Sequence, residues 1–169
     1  MSPEYPYQLV SFLDNLPAIG EGVYQGPNGW YPQITLKRRF TALGMSEDEL
    51  LLAISNFAHT IAPLPLETGQ LMKPDSMPVR VVEIINKDEI KKFHLKFINY
   101  MGVHMQSRYP ERDGENYLPH ITAEYDGKDV INANKFIFKS FVINKICLIK
   151  DRGDTDSHVV AYFDLENLS

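Results

Sequence analysis

The chain holds a single cysteine, Cys147, so an internal disulfide is excluded and a reducing compartment is the expected setting. Cys147 sits in the apolar run from Ile143 to Ile149, which places it in the core rather than at a reactive site. No stretch approaches the roughly 18 to 20 apolar residues that a membrane span needs. The opening Met1-Ser2-Pro3-Glu4 lacks a basic region followed by an apolar one. No signal peptide is expected, and the protein reads as cytoplasmic. Positive charge is also short: 17 Lys and Arg stand against 22 Asp and Glu, a formal net charge of −5. That excludes the broad basic face with which proteins coat long nucleic acid. A small site for one or two phosphates needs only a few cations and is not excluded. The Gly20-x-Gly22 start of a loop lacks a correctly placed third glycine and a following helix, so a dinucleotide site is not expected there.

What the 169 residues do have is an ordinary globular composition, 44% hydrophobic and 23% charged, enough for one compact domain or two small lobes sharing a core. Strands are predicted over Tyr7–Leu13, Gln33–Phe40, Leu64–Met72, Val79–Ile85, Ile121–Tyr125, Phe141–Lys150 and His158–Leu165. Ser46-Glu47-Asp48-Glu49 has the form of a capping box. Leu50, Ala53, Ile54, Phe57, Ala58 and Ile61 then recur at helical spacing until Pro63. A second helix starts near Lys87, with Ile90, Phe93, Phe97, Ile98 and Met101 on its apolar face. Ser107–Tyr117 reads as a polar loop and Val130–Phe136 as a short helix. Strands and helices mix without strict alternation, so the fold class is α+β.

The sequence also repeats itself. Tyr31-Pro32-Gln33-Ile34-Thr35 matches Leu118-Pro119-His120-Ile121-Thr122, and each copy begins a strand. The turn at Lys73–Met77 and the turn from Asp151 answer each other in order along the chain. Two copies suggest a pseudo-twofold pair of lobes around a cleft, because open repeat arrays need at least three. Strand alternation puts Gln33, Thr35, Lys37 and Arg39 on one face, with Ile34, Leu36 and Arg38 on the other. It likewise groups His120, Thr122 and Glu124 opposite Ile121, Ala123 and Tyr125. An imidazole and a hydroxyl two residues apart on a strand reach one phosphate together, the hydroxyl holding an oxygen while the imidazole moves a proton.

A paired His-x-Thr motif, one per lobe, is the signature of the 2H phosphoesterases, and this chain resembles them over nearly its whole length. The second motif, Pro119-His120-Ile121-Thr122, matches the family pattern. The first, Pro32-Gln33-Ile34-Thr35, departs from it in carrying Gln33 where the family has histidine. The resemblance implies a LigT-like bilobal fold: residues 1–169 as a single domain of two interleaved lobes, with two small antiparallel sheets lining a central cleft and helices outside. It implies a monomer with no cofactor and no metal, acting on a small nucleotide or RNA end that carries a cyclic phosphate or a 2′-5′ linkage. One histidine would act as base, the other as acid, and Thr35 and Thr122 would hold the phosphate.

Gln33 alters that scheme, because an amide cannot trade protons near pH 7. Three readings stay open. His120 acts alone or with another group; the cleft binds nucleotides without turning them over; or a substitution has silenced an otherwise complete enzyme. The catalytic candidates are therefore His120, Gln33, Thr35 and Thr122. Lys37 and Arg39 are candidates for phosphate contact, Arg in bidentate fashion. Trp30, Tyr31 and Tyr117 flank the motifs and are candidates for stacking on a base, set against simple loop packing. Glu124 is expected beyond the site. His94 reads as a core histidine, His59 and His104 as helix-end residues, and His158 as a distant candidate for the missing base. The acidic turn from Asp151 to Ser157 lacks the spacing of a calcium loop.

Overall fold

The computed structural model describes residues 4–26, 29–153 and 156–167. In chain order these form β1 (Tyr7–Phe12), β2 (Gln33–Ala42), α1 (Glu47–Ala58), β3 (Leu64–Met72), β4 (Arg80–Ile84), α2 (Lys87–Met101), β5 (Met105–Ser107), β6 (His120–Tyr125), β7 (Lys128–Asp129), β8 (Ser140–Ile143), β9 (Lys145–Lys150) and β10 (His158–Asp164). The helices begin where the sequence signals them. Ser46 Oγ accepts the Glu49 amide at 3.2 Å and donates to the Glu49 carboxylate, a variant of the capping box in which the side chains meet each other. Leu50, Ile54, Phe57 and Ala58 give α1 its buried stripe, and Ile90, Phe93, His94, Phe97 and Met101 give α2 its own.

The strands run in the order β10-β9-β1-β2-β6-β4-β3-β8, with β5 beside β2 and β7 beside β6. Every pairing is antiparallel. The sheet curls, and its narrowest seam is its centre, where β2 and β6 pair through a single residue pair, Ile34 with Ile121. Two four-stranded halves therefore meet there. One draws on the two ends of the chain (β10, β9, β1, β2), the other on its middle (β6, β4, β3, β8). The main core lies between sheet and helices, where Leu36 and Phe40 of β2 pack with Ile54, Phe57, Phe93 and Phe97. No helix among the described residues is long and apolar enough to cross a membrane.

Three expectations change. The apolar run Phe141–Lys150 is not one strand but two. It breaks at Asn144, whose carbonyl accepts the Leu165 amide at 2.8 Å, so that β8 pairs with β3 in one half while β9 pairs with β1 and β10 in the other. β9 is buried on both faces while β8 leaves Val142 exposed, and periodicity alone does not mark where an apolar run changes partners. The segment at Val130–Phe136 makes only one tight turn, Ala133–Lys135. The turns at Lys73 and Asp151 do not correspond in space. Counting outward from the seam, β4 answers to β1 and β3 to β9, so a turn between β3 and β4 has no partner between β9 and β10.

Candidate active site

Ile34 and Ile121 are fully buried, 0% exposed. Their neighbours along each strand point to the opposite face. The antiparallel register about this pair sets Gln33 opposite Thr122 and Thr35 opposite His120. The four side chains share one small space, which Tyr24, Trp30 and Tyr31 close from the loop before β2. Past the seam the two strands part, and the space opens into a cleft. One arm of about 430 Å³ runs under Tyr24, Trp30 and Arg39. A second arm of about 340 Å³ runs under Asn116 and Leu118, with Glu111 at its side. Thr35, Arg38, Arg112 and His120 border both arms.

His120 is held in one tautomer. Its Nδ1 lies 2.8 Å from the Leu118 carbonyl, which only accepts, so Nδ1 carries the proton and Nε2 is left bare for the cleft. Burial pushes the His120 pKa down, and the nearby Arg38 and Arg112 push it further, against the pull of the Leu118 hydrogen bond. The ring is therefore neutral at pH 7 and equipped to accept a proton.

The cations of the cleft are not those that alternation predicts. β2 carries bulges between its pairings to Tyr7, Leu9 and Val10 of β1. Leu36 and Lys37 both turn inward as a result, and Arg38 swings to the cleft. Lys37 is 1% exposed and lies away from the cleft; its Nζ pairs with Asp113 at 3.2 Å and donates to the Arg38 carbonyl at 3.0 Å. The place at the cleft expected for Lys37 is thus taken by Arg38. A bulge shifts the alternation by one residue, and the sequence does not show where it falls. Arg39 does border the wider arm, with its guanidinium bound to Asp151 at 2.6 Å. Arg112 comes from the loop before β6. Neither Arg38 nor Arg112 has a carboxylate partner within salt-bridge distance among the described residues. Burial lowers the Arg38 pKa first, and Arg112 lowers it further. Two adjacent guanidiniums without counterions form a place for an anion.

The loop that brings Arg112 is pinned from beneath. Lys37 and the Ser107 hydroxyl both hold Asp113. The Gly114 amide donates to His94 Nε2 at 3.0 Å, and His94 Nδ1 meets the Leu36 carbonyl at 2.9 Å. Both ring nitrogens are engaged in their neutral roles, and burial lowers the pKa of the ring. The expectation of a core histidine at position 94 is met. Tyr117 stacks on His94 at 4.1 Å and donates to the Thr35 carbonyl at 2.7 Å. It is 5% exposed and acts as a brace, not as an open platform for a base.

Among the other candidates, Trp30 borders the cleft between Tyr24, at 5.0 Å, and Tyr125, at 5.4 Å. Tyr31 borders the small space at the seam, but its hydroxyl is turned to Glu21 at 2.6 Å. Glu124 faces Arg80 at 3.8 Å. His59 lies 3.6 Å from Glu166 and His104 bonds the Leu43 carbonyl at 3.1 Å. His158 borders a separate groove with Glu47 and Lys150 and is not brought to the cleft. The turn from Asp151 sends its first carboxylate to Arg39 and Asp156 to the Tyr24 amide; Asp154 and Thr155 lie outside the described residues. No group of three or more His, Cys, Asp or Glu side chains gathers as a metal site among the described residues. Arg38, Arg112 and Tyr24 were not singled out by sequence reasoning. Arg38 was hidden by the bulge, and the other two by lying in loops with no period to read.

No protein-family pattern and no curated protein matches the sequence. Solved structures do match the fold. A phosphoesterase is 15% identical with a TM-score of 0.59, over 95% of this chain and 98% of that one. Escherichia coli LigT complexed with phosphate is 14% identical with a TM-score of 0.55, over 97% and 98%. The same protein complexed with 3′-AMP is 15% identical with a TM-score of 0.53, over 95% and 98%. The curled antiparallel sheet, the two helices and the near-complete coverage of both chains give this protein the same fold as LigT and the solved phosphoesterase.

Proposed function

We propose that the protein is a phosphodiesterase acting on a cyclic phosphate or 2′-5′ linkage of a small nucleotide or RNA end. The observation that carries this reading is a neutral His120, its Nδ1 tied to Leu118, beside two guanidiniums with no carboxylate partner among the described residues. The phosphate sits at the seam. Thr35 and Thr122 donate to its non-bridging oxygens, Arg38 and Arg112 neutralise its charge, and His120 Nε2 removes a proton from the attacking water. The base lies toward Trp30, whose ring borders both the seam and the wider arm of the cleft. The phosphate and 3′-AMP complexes of the LigT fold relative support a ligand of this kind.

Gln33 favours a second reading, a cleft that binds nucleotides without cleaving them. Incubation with 2′,3′-cyclic nucleotides and 2′-5′ dinucleotides separates the two. Cleavage that vanishes in His120→Ala supports the enzyme, and binding with no cleavage supports the binding module. Absence of both binding and cleavage discards the cleft as a nucleotide site.

A further inference from the structure

Phosphoryl transfer runs with the attacking and leaving oxygens roughly in line through phosphorus. A base on one side therefore needs a proton donor on the other. His120 occupies one end of the seam, and Gln33 stands at the pseudo-twofold position across the Ile34–Ile121 pair. Gln33 has no proton to give near neutrality. The leaving oxygen of a ribose is a poor leaving group without one.

The small space that Gln33 shares with His120 contains two phenols, Tyr24 and Tyr31. The Tyr31 hydroxyl already donates to Glu21 at 2.6 Å. Thr35 and Thr122 carry alcohols no more acidic than the ribose oxygen they would have to protonate. Tyr24 is placed differently. Its amide donates to Asp156 at 2.8 Å, and its ring lies 5.0 Å from that of Trp30. Gln8 and Arg39 line the wider arm of the cleft with it. No carboxylate or carbonyl among the described residues takes the Tyr24 hydroxyl proton as Glu21 takes that of Tyr31, and Tyr24 borders both the seam and the wider arm of the cleft.

We propose that Tyr24 is the second proton-transfer residue of this cleft, standing in for the imidazole that Gln33 lacks; the proposal rests on the phosphodiesterase reading above. In the forward step, His120 Nε2 takes a proton from water as the new P–O bond forms. The P–O bond to the ribose oxygen breaks, and that oxygen takes the Tyr24 proton. Water and a cyclic diester give a monoester, leaving imidazolium and phenolate. The imidazolium proton then returns to Tyr24 through solvent, which restores both groups. Burial raises the Tyr24 pKa, against the pull of Arg39 and Gln8, so the donor form persists through the neutral range.

The test compares two substrates, a 2′,3′-cyclic nucleotide, whose leaving oxygen needs a proton, and a nucleoside p-nitrophenyl phosphodiester, whose leaving group does not. Tyr24→Phe is expected to lower kcat on the cyclic nucleotide about 10²-fold or more. Its kcat on the p-nitrophenyl ester should stay within about threefold of the unsubstituted protein, as a lost general acid leaves an activated leaving group unaffected. An equal loss on both substrates, or no loss on the cyclic one, overturns the role of Tyr24 and leaves the phosphodiesterase reading standing. If the unsubstituted protein turns over neither substrate, the two readings fall together. Inorganic phosphate binding, followed through the His120 ring resonances, is expected to be unchanged in Tyr24→Phe. Loss of that binding assigns Tyr24 to the architecture of the cleft and overturns the proposal.

Discussion

The β2 side and the β6 side of the cleft start from the same Pro-x-Ile-Thr pattern and diverge within a few residues. β6 brings His120 and Thr122 to the cleft, as alternation predicts, and Tyr125 rather than Glu124 beyond them. β2 bulges after Thr35, buries Lys37 and delivers Arg38 to the cleft. One strand supplies an imidazole that can take up a proton and the other a fixed charge. A repeat in sequence thus fixes where two strands cross, while the irregularity in one of them decides which chemistry each side brings.

The largest way to break that comparison is on the β6 side. His120→Ala should lower turnover by about 10²- to 10⁴-fold, the span expected for a lost general base, with inorganic phosphate still bound. Steady-state assays beside a phosphate titration read both outcomes. On the β2 side, Gln33→His restores a titratable group to the matching position. Turnover is expected to rise up to about 10²-fold, with a falling alkaline limb appearing in the pH–rate profile. If Tyr24 is the native donor, the Tyr24→Phe penalty shrinks in that background.

Stability separates two cations of β2 that sequence placed together. Lys37→Ala strands Asp113 beneath the loop and should cost about 3 kcal/mol in urea denaturation. Arg39→Ala breaks a pair whose side chains are about a fifth exposed, 23% and 19%, and should cost about 1 kcal/mol or less. Arg112→Ala is expected to weaken phosphate about tenfold, as the loss of one charge-assisted hydrogen bond does. It should also raise the His120 pKa by removing a repelling charge, a shift that NMR titration of the ring reads directly.

The smallest effect is on pH dependence. His94 and His120 both have pKa values lowered in the fold, chiefly by burial. The unfolded chain binds protons at these sites near pH 6.5 while the native state still refuses them. Stability should therefore be level above about pH 6.5 and decline as pH falls below it. Thermal melts across pH 5 to 8 check this, and the decline should be shallower in His120→Ala.

Much of this arrangement was legible beforehand. The capping box at Ser46, the stripe from Leu50 to Ala58 and the paired motifs each announce a local preference that the tertiary structure keeps. Gln33, Thr35, His120 and Thr122 do gather around one space. What stayed hidden depends on partners distant in sequence. The bulge exists because β2 must pair with β1 and also bend away from β6. The break at Asn144 exists because the run beside it is claimed by two different neighbours. Tyr117 reads as a flanking aromatic until the His94 ring beneath it is seen.

The division at Asn144 has a consequence for the order of assembly. β1 pairs with β9 across nearly the whole chain, Tyr7 with Lys150 and Val10 with Cys147. As the chain leaves the ribosome, at about 5 to 20 residues per second, β1 and β2 have each other but not β9, whose place beside β1 is filled only after β8 has been laid down in the other half. Such long-range pairing slows folding, because the loop must close before its contacts form. The sheet on which the seam rests is completed by a strand made only after every strand of the other half, so the cleft takes its final form after both halves have been laid down.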